Sequence, residues 1–396
     1  MARFLIGVNY WPRSSAMAMW SRLDLGEVDA DFARMAALGF ELVRFFLTWE
    51  TFQPEPLQLD ARAADDFVAV LDLAAKHGLR AMPTLFCGHM SGVNWLPEWT
   101  LDRATAAPAR FRTISGGRSV PYGIGDFYTG ELLEAQRFFV RALGERAREH
   151  PAILVWDLGN EFSNLRAPRR PDDAAHWAAA LAHDLADASN LGTTAGTHGE
   201  DLSEDRNIRL SSLCEPLVFA TMHGYAAYSS FARGPSDAEV VPFLYGLAGA
   251  FARKRVFFTE FGTPVTPPGG AVAGAIPGLD DEAGAEYAAA VLPRLRERGA
   301  LGALWWCWTD YAPELAGEPP FDRAPHEFHF GMLRADGSER PVARVLAEFA
   351  RGERALCEPA DALAVDEAAY YAGLPEATEH AYAEYLRQYE RRGVEA

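Results

Sequence analysis

The chain runs to 396 residues and carries a formal charge of -18 at pH 7. A surface so acidic repels polyanions, which excludes nucleic acid and anionic membranes as expected partners. Hydrophobic residues make up 49% and aromatics 12%, enough for a large core and too many for a disordered chain. No run approaches the roughly 18 apolar residues of a membrane span. The opening Met1-Ala2-Arg3-Phe4-Leu5-Ile6-Gly7 enters a strand-like pattern at once, so the expectation is no signal peptide and a cytoplasmic address. Cys87, Cys214, Cys307 and Cys357 are widely spaced. None forms a metal or redox motif, and all four read as small hydrophobes.

Short apolar runs alternate with Ala-rich amphipathic stretches along the chain, the signature of βα units around a parallel sheet. The predicted order is strand Phe4–Val8, helix Val28–Leu38, strand Leu42–Phe46, helix Ala63–His77, strand Arg80–Thr84 and helix Glu131–Glu149. It continues with strand Ile153–Trp156, helix Asp173–Ala188, strand Thr193–Gly196, a weak stretch Asp201–Leu213, strand Leu217–Thr221 and helix Ala238–Ala252. Strand Arg255–Thr259, helix Glu282–Arg298 and strand Gly302–Trp306 complete the series. Eight strands separated by helices predict a closed (β/α)8 barrel over residues 1–352. Gly39, Gly78 and Gly299 stand where helices must end.

Three connections after strands are long: 86–129, 223–236 and 307–337. All would emerge at the C-terminal end of the barrel, where barrel enzymes build their sites. Residues 353–396 are charged and Tyr-rich, with a helix-like stretch Ala377–Arg392. They are expected to form a helical extension packed on the barrel.

Two strands end on acids. In one, the strand Ile153-Leu154-Val155-Trp156 runs into a turn, Asp157-Leu158-Gly159-Asn160, that ends on Glu161; the other is Val256-Phe257-Phe258-Thr259-Glu260. By count these are the fourth and seventh strands, which face each other across a barrel mouth. Cleaving a glycoside requires two carboxyl groups flanking the bond, one to protonate the leaving group and one to attack the anomeric carbon. An isolated Glu at a strand end more often pairs with an arginine or caps a helix. Two of them at matching ends favour chemistry.

On these residues the chain resembles the clan of retaining (β/α)8 glycoside hydrolases that contains family five, the cellulases and mannanases. In that clan Asn-Glu after the fourth strand carries the acid/base and a Glu ending the seventh strand is the nucleophile. The resemblance implies Glu161 as acid/base and Glu260 as nucleophile, with Asn160 holding the sugar 2-hydroxyl. Arg44, at the end of the second strand, resembles the clan arginine that holds the nucleophile ionised. His223 and Tyr225 follow the sixth strand, where the clan places a His and a Tyr beside the nucleophile. Trp306, with Trp308 next on the same face, offers an indole platform for a sugar ring. Asn9, Trp11 and His89 are candidate hydroxyl contacts by position. The acid is expected to have its pKa raised, by an apolar strand end and by repulsion from its partner.

The implied function is a retaining β-glycoside hydrolase without metal or organic cofactor, acting on a carbohydrate substrate. The long loops favour exo action on short oligosaccharides or glycosides, with β-mannosides and β-glucosides first and galactosides next. An endo-acting mannanase or glucanase, and a barrel that only binds carbohydrate, remain the alternatives. A metal-dependent barrel hydrolase would need His-x-His on the first strand, which reads Gly7-Val8-Asn9-Tyr10.

Overall fold

The structure is a computed structural model that describes residues 3–266, 276, 278–359 and 363–395, with side chains as far as 388. Eight strands form the barrel wall: β1 Leu5–Tyr10, β2 Leu42–Thr48, β3 Arg80–Cys87, β4 Trp156–Asn160, β5 Thr193–Gly196, β6 Ala220–Gly224, β7 Val256–Phe261 and β8 Gly302–Trp305. Their order in the sheet is β5-β4-β3-β2-β1-β8-β7-β6, and every pair is parallel. The β5–β6 seam closes by a mixed set of bonds. Val218 N donates to Thr193 O at 2.9 Å and His223 N to Thr197 O at 3.0 Å. The hydroxyls of Thr194 and Thr197 donate to Phe219 O and Thr221 O at 3.0 and 2.6 Å. The result is a (β/α)8 barrel.

Alternation along the strands divides the interior into two layers. Leu42, Met82, Val155, Phe219, Phe257, Leu301 and Leu304 form an apolar plug at the strand N-termini. Two residues further along the same strands stand Arg44, Thr84 and Asp157, all fully buried. The barrel floor is therefore greasy and its upper storey polar and charged.

The predicted helices occur at Leu25–Leu38, Ala61–Lys76, Gly130–Arg146, Pro171–Ser189, Val240–Ala252 and Asp281–Glu297. Asp24, Asp60 and Asp280 cap three of them by accepting from backbone N–H groups of the first turn. Gly39, Gly78 and Gly299 take φ of 94°, 71° and 85° just past helix ends. The weak fifth repeat holds two single turns, Glu200–Ser203 and Leu210–Leu213.

The fourth strand begins and ends later than expected. Asp157-Leu158-Gly159-Asn160 reads as a turn because it is polar and contains glycine. It extends the strand because the interior supplies partners for Asp157 and Asn160. The 86–129 connection is not an irregular loop. It folds into a four-stranded sheet (His89–Met90, Val93–Trp95, Arg112–Ser115, Arg118–Val120) and a two-stranded one (Leu101–Ala106 with Tyr122–Ile124). Among the described residues no helix is long and apolar enough to cross a membrane.

Beyond the barrel, helices Glu367–Ala372 and Glu376–Glu395 lay tyrosines on the fifth and sixth repeats. Tyr371 Oη donates to Asp201 O at 2.8 Å and the Arg209 guanidinium lies 3.8 Å over its ring. Tyr382 Oη donates to Asp237 Oδ2 at 2.7 Å, and its ring sits 5.0 Å from that of Phe243. Replacing Tyr382 by Ala empties this contact and leaves Asp237 a donor short. It should lower the denaturant-derived stability by about 3 kcal/mol or more. An unchanged unfolding midpoint would show that Tyr382 contributes nothing to the barrel.

Candidate active site

Arg44 is the centre of the upper storey. It is 0% exposed and bonds four side chains from three other strands. Its Nε and Nη2 reach Asp157 Oδ2 at 2.9 and 2.8 Å. Nη1 donates to Asn9 Oδ1 at 3.1 Å and Glu260 Oε1 at 2.7 Å, and Nη2 donates to Asn160 Oδ1 at 2.9 Å. Burial alone would pull the guanidinium pKa down, but the charges of Asp157 and Glu260 hold it above its ordinary value. A Cβ on Gly196 would collide with Gly159 O and crowd Arg44 Nη2 at 3.3 Å. Glycine on β5 is what lets β4 and the guanidinium come so close.

The two acids reach the mouth through irregular strands. Asp157 pairs with Thr194 and Asn160 with Gly196, so β4 carries one extra residue before Glu161. Similarly, Met222 pairs with Phe258 but His223 with Glu260, an extra residue in β7. Such bulges re-aim the following side chain. Without them, alternation would turn Glu260 away from the interior, because Phe257 and Thr259 share the inward face. Glu161 itself takes φ 45° and ψ 44°, a left-handed conformation that costs a non-glycine residue about 1–2 kcal/mol.

A carboxylate oxygen of Glu161 and one of Glu260 lie within 4.8 Å of each other, with a His223 nitrogen within the same distance of both. Glu260 Oε2 accepts from Tyr225 Oη at 2.6 Å. Burial and the adjacent Glu260 raise that phenol far above its usual range, so it stays a donor. His223 Nδ1 is within hydrogen-bond distance of Glu161 Oε1 at 2.9 Å and lies 3.6 Å from Glu260 Oε2. Asn164 Nδ2 donates to Glu161 Oε2 at 3.1 Å, and His89 Nε2 and His198 Nδ1 stand 3.7 and 4.0 Å from it.

This cage corrects one expectation. Burial does raise the Glu161 carboxyl, as anticipated from the apolar strand end. The imidazoles of His198, His223 and His89 outweigh it and hold the group below the usual carboxylate range. Sequence reasoning counted the opposing acid and missed the ring of imidazoles.

Both acids open into a cavity of about 620 Å3, lined also by Asn160, His223, Tyr225, Trp306 and His89. Arg44 touches the cavity only through Glu260 and Asn160. Three of the predicted contacts do not reach it. Asn9 is fully buried and spent on Arg44, Thr259 O at 2.9 Å and Trp305 O at 3.3 Å. Trp11 is stacked on Phe46 at 5.2 Å, and Trp308 is fully buried. The shared alternation that put Trp308 beside Trp306 ends at Trp305, the last strand residue, and Trp306 lies past it with its ring edge against Phe46.

Several cavity residues were not anticipated. His198 follows β5, with Nε2 3.0 Å from Ser163 Oγ. Glu327, Tyr228 and His326 line the wall formed by the sixth and eighth connections, and Arg110 and Arg112 come from the β3 insertion. Only His198, a His closing a strand, carried a signal of the kind that identified His223. Glu161, His223 and Glu260 could also hold a cation as a set. Arg44, 2.7 Å from Glu260, already supplies the positive charge there.

No protein-family profile matches the chain, and no curated protein sequence does. Solved structures do. It is similar to the exo-β-1,4-mannosidase Op5Man5 of Opitutaceae bacterium strain TAV5 at 26% identity and TM-score 0.73, over 88% of this chain and 59% of that one. The chain thus spans less than two thirds of that mannosidase. A GH5_18 protein of Streptomyces cattleya, in complex with Manb1-4GlcNAc, matches at 22% identity and TM-score 0.80, over 98% of this chain and 92% of that one. Another, of Bifidobacterium longum and with the same ligand, matches at 20% identity and TM-score 0.72, over 89% and 80%. The chain resembles these family-five glycoside hydrolases in fold.

Replacing Arg44 by Met would leave Asp157 and Glu260 buried without a cation. The expected loss is about 3–5 kcal/mol of stability, and a variant as stable as the parent would show the hub to be dispensable. A second expectation concerns acid. Burial depresses His89 to about 4, against about 6.5 in an unfolded chain. Between those values the unfolded state binds the extra proton, so stability should fall as pH drops from about 6.5 to about 4. His89→Asn should flatten that part of the stability profile, and an unaltered slope would assign it to other groups.

Proposed function

We propose that this chain is a retaining β-glycoside hydrolase, with Glu161 as acid/base and Glu260 as nucleophile. The observation that carries the reading is the pair of acids at the barrel mouth with oxygens within 4.8 Å. Retaining enzymes place their carboxyl groups about 5–5.5 Å apart, and inverting ones roughly 6.5–9.5 Å, to admit a water. The likeness to an exo-β-1,4-mannosidase and to proteins holding Manb1-4GlcNAc supports β-mannosides as the first substrate class and exo action as the mode. β-Glucosides come next.

In the first step Glu260, ion-paired with Arg44 and hydrogen-bonded by Tyr225, attacks the anomeric carbon. Glu161 delivers its proton to the departing oxygen, leaving a glycosyl ester on Glu260. In the second, Glu161 takes a proton from water as that water attacks the ester, and Glu260 is released. Both carboxyls return to their starting states. Sugar seated across the acids removes the remaining water from Glu161. This strengthens the burial effect and favours the protonated form that the first step needs. In this reading Asn160, on the cavity wall with its Oδ1 fixed by Arg44 and one Nδ2 hydrogen given to His89 O at 3.1 Å, holds the 2-hydroxyl with its remaining hydrogen. Trp306 gives the ring a flat apolar support.

A screen of p-nitrophenyl β-glycosides should show turnover with the mannoside or glucoside ahead of the galactoside and xyloside. Glu161→Ala should slow substrates with poor leaving groups about 10²–10⁴-fold and activated phenols far less. Azide should rescue it and yield a β-glycosyl azide. Glu260→Ala should lose activity on all of them, and any azide product should be α. The reverse stereochemistry would exchange the two roles, and an inactive wild-type chain would leave a carbohydrate-binding barrel.

A further inference from the structure

The connection after β8 brings a third carboxyl to the cavity. Glu327, in the turn Pro325–His329, is only 8% exposed yet forms part of the wall. The other three acids at this mouth, two buried and one half-buried, have their charge answered. Asp157 and Glu260 hold Arg44, and Glu161 meets His223 and Asn164. Among the described residues no Arg or Lys forms an ion pair with Glu327. The donors beside it are two hydroxyls, that of Ser91 and that of Tyr228, whose hydrogen bond is long at 3.5 Å, and His326 Nε2 lies 3.5 Å away. Burial, reinforced by the charges of Glu260 and Glu161 and only partly offset by the hydroxyls of Ser91 and Tyr228, pushes its carboxyl up to about 7. A buried carboxyl without a cation is costly unless donors are supplied, and the open side of this one is the cavity.

Its position selects the ligand. Tyr228 packs on Tyr225 at 5.4 Å, Phe330 meets Tyr225 at 6.0 Å, and Tyr225 holds Glu260. Glu327 therefore stands on the nucleophile's side, where the sugar whose anomeric carbon is attacked must lie. The same connection is tied back to the β3 insertion by Arg112, whose Nη1 donates to Asp322 Oδ2 at 2.8 Å. That bond crosses between two walls of the cavity. Sugar hydroxyls are donors, and two neighbouring ones on a ring match the two oxygens of a carboxylate.

We propose that Glu327 recognises the glycone, accepting hydrogen bonds from two neighbouring hydroxyls of the sugar seated against Glu260. The inference rests on the glycosidase reading above and adds the residue that chooses the sugar. It makes Glu327 a specificity determinant that takes no proton from the reacting atoms.

The test uses the p-nitrophenyl glycoside the wild type hydrolyses best, and its monodeoxy derivatives. In the wild type, removing a hydroxyl held by Glu327 should cut kcat/KM on the order of 10- to 100-fold. Glu327→Ala should lower kcat/KM on the parent glycoside by a similar factor. It should also reduce the penalty at those one or two positions to about threefold or less, leaving the other positions as they were. Glu327→Gln preserves volume and keeps one acceptor, so it should relieve the penalty in part and serves if the Ala variant does not fold. Deoxy penalties identical in wild type and variants would overturn this assignment while leaving the glycosidase standing. A wild type that hydrolyses no glycoside would overturn both.

Discussion

One guanidinium organises the upper half of this barrel. Arg44 is the cation against which Asp157 and Glu260 are both buried, and it also fixes Asn9 and Asn160. A buried charge is tolerated only when it is paired and its hydrogen bonds are met, so these residues must be placed together or not at all. The arrangement spans β1, β2, β4 and β7, strands distributed around the circumference. Satisfying the arginine thus sets where the strand ends stand relative to one another, and with them Glu260. Thr84, which donates to Asp157 Oδ2 at 2.8 Å, brings β3 into the same network.

The positions of the acids depend on departures from regular strands. Strict alternation would point Thr259 inward and Glu260 outward, and the extra residue in β7 reverses this for Glu260. The extra residue in β4 does the same service before Glu161, whose left-handed backbone then turns the chain into a short helical turn. The strain is held in place by neighbours: Glu161 N donates to Gly196 O, and Asn164 N to Glu161 O. Irregular backbone concentrates at the two acids, while the apolar plug beneath keeps its period of two.

That contrast explains what the sequence revealed. The barrel was legible because eight apolar runs and their helices repeat a pattern that burial enforces. Glu161 and Glu260 were legible because each closes such a run. Asp157 was not, since a buried counter-ion inside a strand looks like a turn residue until its arginine is found 113 positions away. Asn9, Trp11 and Trp308 were read as ligand contacts from their nearness to strand ends, and side-chain packing used them instead. The β3 insertion concealed two small sheets because strands of two to six residues leave little periodicity to count. Glu327 lay in a recognised loop, but nothing local distinguishes a carboxyl facing a cavity from one facing solvent.

The weak fifth repeat shows how a local deficit is met from elsewhere in the chain. Where other repeats cover the barrel with helices of eleven to nineteen residues, this one offers two single turns. Tyr370 and Tyr371 of the C-terminal extension pack against Phe251 of the neighbouring helix at 5.3 and 5.9 Å. Glu367 also accepts from Ser211 N at 3.3 Å. The first of the two turns carries Asp201, which accepts from Ser163 Oγ at 2.6 Å and His198 N at 3.1 Å. Tyr371 reaches the backbone oxygen of that same Asp201. His198 is one of the imidazoles that hold Glu161 ionised, and Ser163 lies two residues from Glu161 in the chain. The extension therefore braces the stretch of barrel that stands behind Glu161. Its tyrosines replace part of a missing helix and are continuous, through Asp201, with the imidazole that stands beside Glu161.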